Sequence, residues 1–278
     1  MKVLLGDGRV LRYWSSATYG PVVLVFHGCP DTRRMAMTGD DAAHEVGVRL
    51  LAFNRPGYGS STPTASTHTS VARDAAELLD IWGIERAGLL GMSVGGPYAA
   101  AFAATYPERT TALALVSSPG PGEKTDESVE DAMERMRPEF MAWRAGIDPE
   151  DEAEDDAALA ARFLAELPAS DAALLRAYDD EFLGNLVWEA LIKPEGYLRD
   201  AALLLREWDF DPSRVRCPTT VWCGELDDQA VAASSWWAGV VPQAEVEVAA
   251  GTTHLAALLT QWPAILRRLG ADHGRGTG

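Results

Sequence analysis

Cysteine is scarce in this chain: three among 278 residues, Cys29, Cys217 and Cys223. An odd count without zinc-type spacing gives no basis for a disulfide framework or a structural zinc, so buried, reduced thiols are expected. Long apolar runs are missing as well. No stretch approaches 18 residues without a charge or a breaker, which argues against a transmembrane helix. The N-terminal segment has only Val3 to Leu5 apolar before Gly6 and Asp7, too short for the core of a signal peptide. A soluble, cytoplasmic protein is the expectation. Bases are also few, 24 against 41 acids, for a formal net charge of -17. Such a surface repels nucleic acid and anionic membranes, and neither is expected as a partner. The deficit is uneven, since residues 123–181 carry 19 acids and 6 bases, which reads as an exposed, solvated helical segment. There is no internal repeat, and the acidic run over residues 149–156 is the one strongly biased segment.

What the chain does have is the balance of a packed globular protein: 47% hydrophobic, 23% charged, with nine tryptophans. Its length accommodates one sizeable core with an insertion. Residues 2–5 and 9–14, around Gly6-Asp7-Gly8, predict an antiparallel hairpin. Continuous apolar runs at 22–26, 49–53, 87–90 and 112–116 predict parallel strands buried on both faces. Helical spacing at 33–46, 70–82 and 94–106 separates them, giving the β-α-β alternation of a doubly wound sheet. Strands at 218–223 and 245–248, and helices at 230–240 and 255–269, continue the order, with a loose tail over 270–278. Strand signal is absent between Ser118 and Pro212. Helices at 129–144, 157–167 and 171–183 take its place, and an insertion into the sheet is expected.

The chemistry-bearing pattern is Gly91-Met92-Ser93-Val94-Gly95-Gly96, lying between an apolar strand and an Ala-rich helix. This is the GxSxG elbow in the context it requires. A tight strand-to-helix turn strains the serine backbone and leaves no room for side chains at 91 and 95. The hydroxyl stands clear of the strand end, and the Val94 amide faces developing negative charge.

With His27-Gly28-Cys29-Pro30 following the strand at 22–26, the chain resembles the α/β-hydrolase superfamily over nearly its whole length. In members with an HGxP segment the third residue donates its backbone N–H to the oxyanion hole, which implies that role for Cys29 beside Val94. Proline cannot donate, and the resemblance assigns His27 to bracing the loop. Asn54-Arg55-Pro56-Gly57-Tyr58-Gly59-Ser60-Ser61 is similar to the superfamily's D-R-P-G-x-G-x-S loop, with Asn54 in place of aspartate. On this fold the order is serine, acid, histidine. His27, His44 and His68 precede Ser93 and His273 lies in the tail, leaving His254 in Gly251-Thr252-Thr253-His254, similar to G-x-G-H. Gly224-Glu225-Leu226-Asp227 resembles G-x-x-D and implies Asp227 as the acid. Asp228 lies one position late, Glu225 reads as a loop brace, and Ser117-Ser118 after the sixth strand offers no carboxylate for the alternative position.

The expectation is an α/β-hydrolase fold: a mostly parallel doubly wound sheet from residues 1–120 and 208–278, with a helical cap at 121–207. The catalytic set would be Ser93, Asp227 and His254, with Cys29 and Val94 holding the oxyanion. A small-molecule ester or lactone is the expected substrate, and no cofactor or metal is called for. The oligomeric state is open. Carbon–carbon bond hydrolysis, amide or aminopeptidase activity, and non-catalytic ligand binding are the alternatives. Candidate substrate contacts in the insertion are Met136, Phe140, Trp143, Tyr178, Phe182 and Trp188.

Overall fold

The structure is a computed structural model and describes residues 1–147 and 156–271. One eight-stranded sheet runs in the order β1-β2-β4-β3-β5-β6-β7-β8. Its strands are β1 (Lys2–Leu4), β2 (Val10–Ser15), β3 (Val22–Phe26), β4 (Arg49–Phe53), β5 (Ala87–Met92), β6 (Thr110–Val116), β7 (Thr219–Gly224) and β8 (Ala244–Ala249). β1 and β2 form the predicted hairpin, β2 pairs antiparallel with β4, and the remaining neighbours are parallel.

The apolar runs of β3 to β6 are buried on both faces because each face meets its own core. Val23, Val25, Leu90, Met92, Ala114 and Val116 point to one cluster, which also holds residues of α1 (Asp40–Val46) and α11 (Trp262–Gly270). Their neighbours Leu24, Phe26, Leu89, Leu113 and Leu115 point to the other, against α2 (His68–Ile81), α3 (Gly95–Thr105) and α9 (Asp228–Val240). This two-residue period is what a strand imposes. At ~25 cal/mol per Å² of apolar surface removed from water, each fully buried leucine contributes roughly 2 kcal/mol. α3 is buried from Gly95 to Ala104, and its alanines let it lie close between α2 and the sheet. α2 begins at a capping box: the Thr67 side chain accepts from the Ser70 N–H, and Ser70 Oγ accepts from the Thr67 N–H.

Between β6 and β7 the chain leaves the sheet for α4 (Val129–Ile147), α5 (Asp156–Ala165), α6 (Ala169–Leu175), α7 (Asp180–Leu191) and α8 (Pro194–Leu204). Their apolar faces, including Phe140, Phe163, Leu186 and Leu198, join the α1/α11 core. Three predicted helices are divided in the structure. Residues 33–46 form a 3₁₀ segment (Arg33–Gly39) followed by α1, with Gly39 at the junction. Residues 171–183 break because the Asp179 side chain accepts from the Phe182 N–H at 2.7 Å and starts a new helix. Residues 255–269 divide into α10 (Ala256–Leu259) and α11, because Pro263 in the first turn of α11 lacks the N–H that a continuous helix needs. Most of the acidic 149–156 run and of the 270–278 tail lies outside the described residues. No helix among the described residues is long and apolar enough to cross a membrane.

Candidate active site

β5 runs two residues beyond its predicted end, to Met92, and passes through Ser93 and Val94 directly into α3. Ser93 has φ 50°, a left-handed conformation costing a non-glycine residue about 1–3 kcal/mol. The turn is held by the Ser93 N–H donating to Val116 O and the Gly96 N–H to Ser93 O, both at 2.8 Å. A Cβ on Gly91 would lie 2.6 Å from Gly96 Cα, and one on Gly95 would run into the carbonyls of Phe26 and His27. Both glycines are therefore required by close backbone approach.

Ser93 and His254 line one cavity of about 300 Å³. His254 sits after β8. Its carbonyl accepts from Ser117 Oγ at 3.0 Å, and its Nδ1 lies 2.5 Å from Asp227 Oδ2. Asp227 is itself fixed, because its Oδ1 caps α9 by accepting from the Ala230 N–H at 3.0 Å. Asp228 is already the first residue of α9 and exposed, while Glu225 accepts from the Gly251 N–H at 2.7 Å and braces the loop. The flank of His254 is held from α6: Asp171, 1% exposed, accepts from Thr253 Oγ1 and from the Ala256 N–H.

The loop after β3 forms another wall through Gly28, Cys29, Pro30 and Asp31. The Cys29 and Val94 amides donate to no other group among the described residues. His27 is 1% exposed, and burial and then the Arg55 charge push its pKa far down, so it is neutral. Its Nε2 accepts from the Arg55 N–H at 3.2 Å, which leaves the proton on Nδ1 to donate to Gly28 O at 2.8 Å. Burial and the negative Asp200 raise the pKa of the Cys29 thiol, so it is no nucleophile. Asp31, 5% exposed, is pushed by burial up to about 7, while its Oδ1 accepts from the Thr32 N–H at 2.6 Å. Asn54 accepts from the Arg33 N–H at 2.8 Å and donates from Nδ2 to Glu189 at 2.9 Å. An aspartate there would set two carboxylates together, which explains the amide.

Of the six side chains expected to contact substrate, Trp143 alone lines this cavity. Met136 and Phe140 border a separate depression on the other side of Trp143, with Tyr197. Tyr178 and Phe182 pack on each other with ring centroids 5.1 Å apart, and Trp188 is 43% exposed. The apolar wall is instead made by Met35, Phe163, Leu167, Pro168, Leu186 and Leu255. Sequence reasoning also passed over the buried acids Asp31, Asp171, Glu189 and Asp200. The last two fall where an apolar helical period would set a hydrophobic residue, a signal that was available.

The sequence profile of the alpha/beta hydrolase fold matches residues 21–259, and the chain belongs to that family. Among curated relatives, a 2-hydroxy-6-oxononadienedioate/2-hydroxy-6-oxononatrienedioate hydrolase of Burkholderia vietnamiensis is 37% identical over 118 residues, 40% of this chain and 41% of that one. Epoxide hydrolase B of Mycobacterium tuberculosis is 30% identical over 107 residues, 37% of this chain and 30% of the relative. These matches span less than half the length of either partner. An alpha/beta hydrolase fold protein from Nakamurella multipartita superposes with TM-score 0.67 at 25% identity, covering 96% of both chains. The enol-lactonase from Burkholderia xenovorans gives TM-score 0.69 at 20% identity over 96% of this chain and 97% of that one, which speaks for the fold alone.

Proposed function

We propose that this protein is a serine hydrolase acting on an uncharged carboxylic ester or lactone through an acyl-enzyme on Ser93. The observation that carries the reading is the strained Ser93 sharing a cavity with His254, whose Nδ1 is 2.5 Å from Asp227. Ser93 Oγ attacks the carbonyl carbon while His254 Nε2 takes the hydroxyl proton, and the carbonyl π pair moves onto oxygen. The Cys29 and Val94 N–H groups hold that oxyanion. Collapse breaks the carbon–oxygen ester bond, and the alkoxide leaves with the proton from His254. Water then repeats the sequence on the acyl-enzyme, releasing the acid and restoring Ser93. Asp227 keeps the proton on Nδ1 and stabilises the imidazolium. Helices α4 to α7 cover the strand ends as a cap and supply the apolar acyl wall.

Hydrolysis of a carbon–carbon bond is favoured by the names of several relatives, whose substrates are dicarboxylates. Against it, among the described residues no arginine or lysine lines the cavity, whereas Asp31, Glu166 and Asp171 do. A dianion would be desolvated here with no counter-charge among the described residues. Epoxide opening by an aspartate nucleophile does not fit Ser93. The test is rapid mixing with p-nitrophenyl butyrate. A burst of p-nitrophenol equal to the enzyme concentration, absent in Ser93→Ala, supports the reading. Turnover of a dienedioate but of no ester would reject it.

A further inference from the structure

Asp200, on α8, is 2% exposed and is the meeting point of three side chains from the sheet domain. It accepts from Arg55 Nη2 and Tyr58 OH, both at 2.6 Å, and from Tyr98 OH at 2.7 Å. Arg55, itself 1% exposed, turns the rest of its guanidinium to the loop after β3: Nη1 donates to His27 O, and Nη2 donates to Gly28 O at 2.8 Å. That second carbonyl belongs to the same peptide unit as the Cys29 N–H. A trans peptide is planar, with its C=O and N–H pointing opposite ways. Among the described residues the one cis bond is Cys29-Pro30, so the Gly28–Cys29 peptide is trans. Anchoring Gly28 O on the buried guanidinium therefore aims the Cys29 N–H away from Arg55, and donation to the carbonyl also strengthens the amide as a donor. Two donors, Arg55 Nη2 and His27 Nδ1, fill that one carbonyl oxygen.

We propose that Asp200 is a positioning residue for oxyanion stabilisation: by holding Arg55 it orients the Gly28–Cys29 peptide, so that the seating of α8 and the aim of the oxyanion donor form one unit. This rests on the serine hydrolase reading above. The neighbouring helix α7 provides an internal control. Glu189 is also a buried carboxylate joining a helix of the excursion to the sheet domain, through Arg33, Arg34 and Asn54, yet it bonds neither Gly28 nor Cys29. A general loosening of the helices would follow loss of either carboxylate. Misdirection of the Cys29 N–H would follow only loss of Asp200.

The experiment compares Asp200→Asn, Tyr98→Phe and Glu189→Gln with wild type. It measures kcat and KM for p-nitrophenyl butyrate, thermal midpoint, and inhibition by butylboronic acid, whose tetrahedral serine adduct places an oxygen in the oxyanion position. Full loss of one such donor costs about 10²–10³-fold, so a misaimed donor should cost on the order of tenfold or more. Asp200→Asn should show that loss in kcat, with KM changed by less than about threefold and boronate affinity reduced in proportion to kcat/KM. Tyr98→Phe, which keeps the ion pair, should show a smaller loss with the same signature. Glu189→Gln should lower the thermal midpoint and leave kcat and boronate affinity near wild type. A folded Asp200→Asn with wild-type kcat overturns the proposal, as does Glu189→Gln with the same kcat loss. If Asp200→Asn does not fold, unchanged boronate affinity in Tyr98→Phe overturns it. Failure of the hydrolase reading would look different, with no ester turnover and no boronate binding in the wild type.

Discussion

Replacing Asp31 by asparagine removes a carboxyl that the fold holds out of water in the cavity wall. The amide oxygen can still accept from the Thr32 N–H, so the main loss is the ability to ionise. Burial raises the Asp31 pKa from 3.8 to about 7, about three units, each equivalent to about 1.4 kcal/mol. At low pH the carboxyl is protonated in folded and unfolded chains and contributes no pH dependence. Between the two values the unfolded chain ionises and the folded one does not, so the folded state binds more protons and stability falls as pH rises. The wild type therefore loses up to about 4 kcal/mol from this group between roughly pH 4 and pH 7, and no more above that. Asp31→Asn escapes the loss. Urea unfolding of both proteins, followed by tryptophan fluorescence from about pH 5 to about pH 8, gives the difference free of the other titrating groups they share. The variant's advantage should grow with pH and level off above about 7. A difference that stays constant over this range would refute a buried, proton-holding Asp31.

Asp227→Asn should lower kcat/KM by a factor approaching the ~10⁴ measured for the corresponding acid of another triad, while Asp228→Asn stays within about threefold; steady-state kinetics on one ester separates the two. Trp143→Ala should lower kcat/KM for long or bulky p-nitrophenyl esters more than for the acetate, because remote contacts position large substrates, whereas Trp188→Ala should leave the ratio unchanged; equal losses on every ester in Trp143→Ala would mean that it holds the fold only. Burial would raise the Asp209 pKa, but hydrogen bonds from His68, Thr67 and Thr69 outweigh it and hold the carboxyl well below its ordinary range. A depressed carboxylate stabilises above its unfolded value and loses that contribution as pH falls, so Asp209→Asn should destabilise by about 1 kcal/mol near neutrality and by less in acid, as read by chemical denaturation.

The architecture was legible where a local pattern had a single physical solution. Ser93 could be placed because its glycines, the strand before it and the helix after it all specify the same turn. His254 followed from the chain order and the G-x-G-H likeness that the resemblance implies, and Asp227 from the likeness of Gly224 to Asp227 to G-x-x-D; in the structure these two side chains meet. The helix breaks were less legible, since Pro263 and the capping Asp179 each lie inside an otherwise continuous helical period. The cavity wall was least legible of all. Which face of α5 or α7 looks inward depends on helix packing, so size and aromaticity singled out Tyr178, Phe182 and Trp188 while Phe163 and Leu186 line the cavity. The buried acids were hidden for a related reason. Glu189 and Asp200 resemble solvated helix charges until the fold brings Arg33, Arg34 and Arg55 against them from more than 140 residues away.

The nucleophile itself is tested most directly by a fluorophosphonate, which forms a stable covalent bond with an activated serine. Folded wild type should be labelled on the peptide containing Ser93, located by mass spectrometry. Labelling should vanish in Ser93→Ala and slow sharply in His254→Ala. Folded wild-type protein that resists the probe, or that carries it on any other residue, would contradict the account.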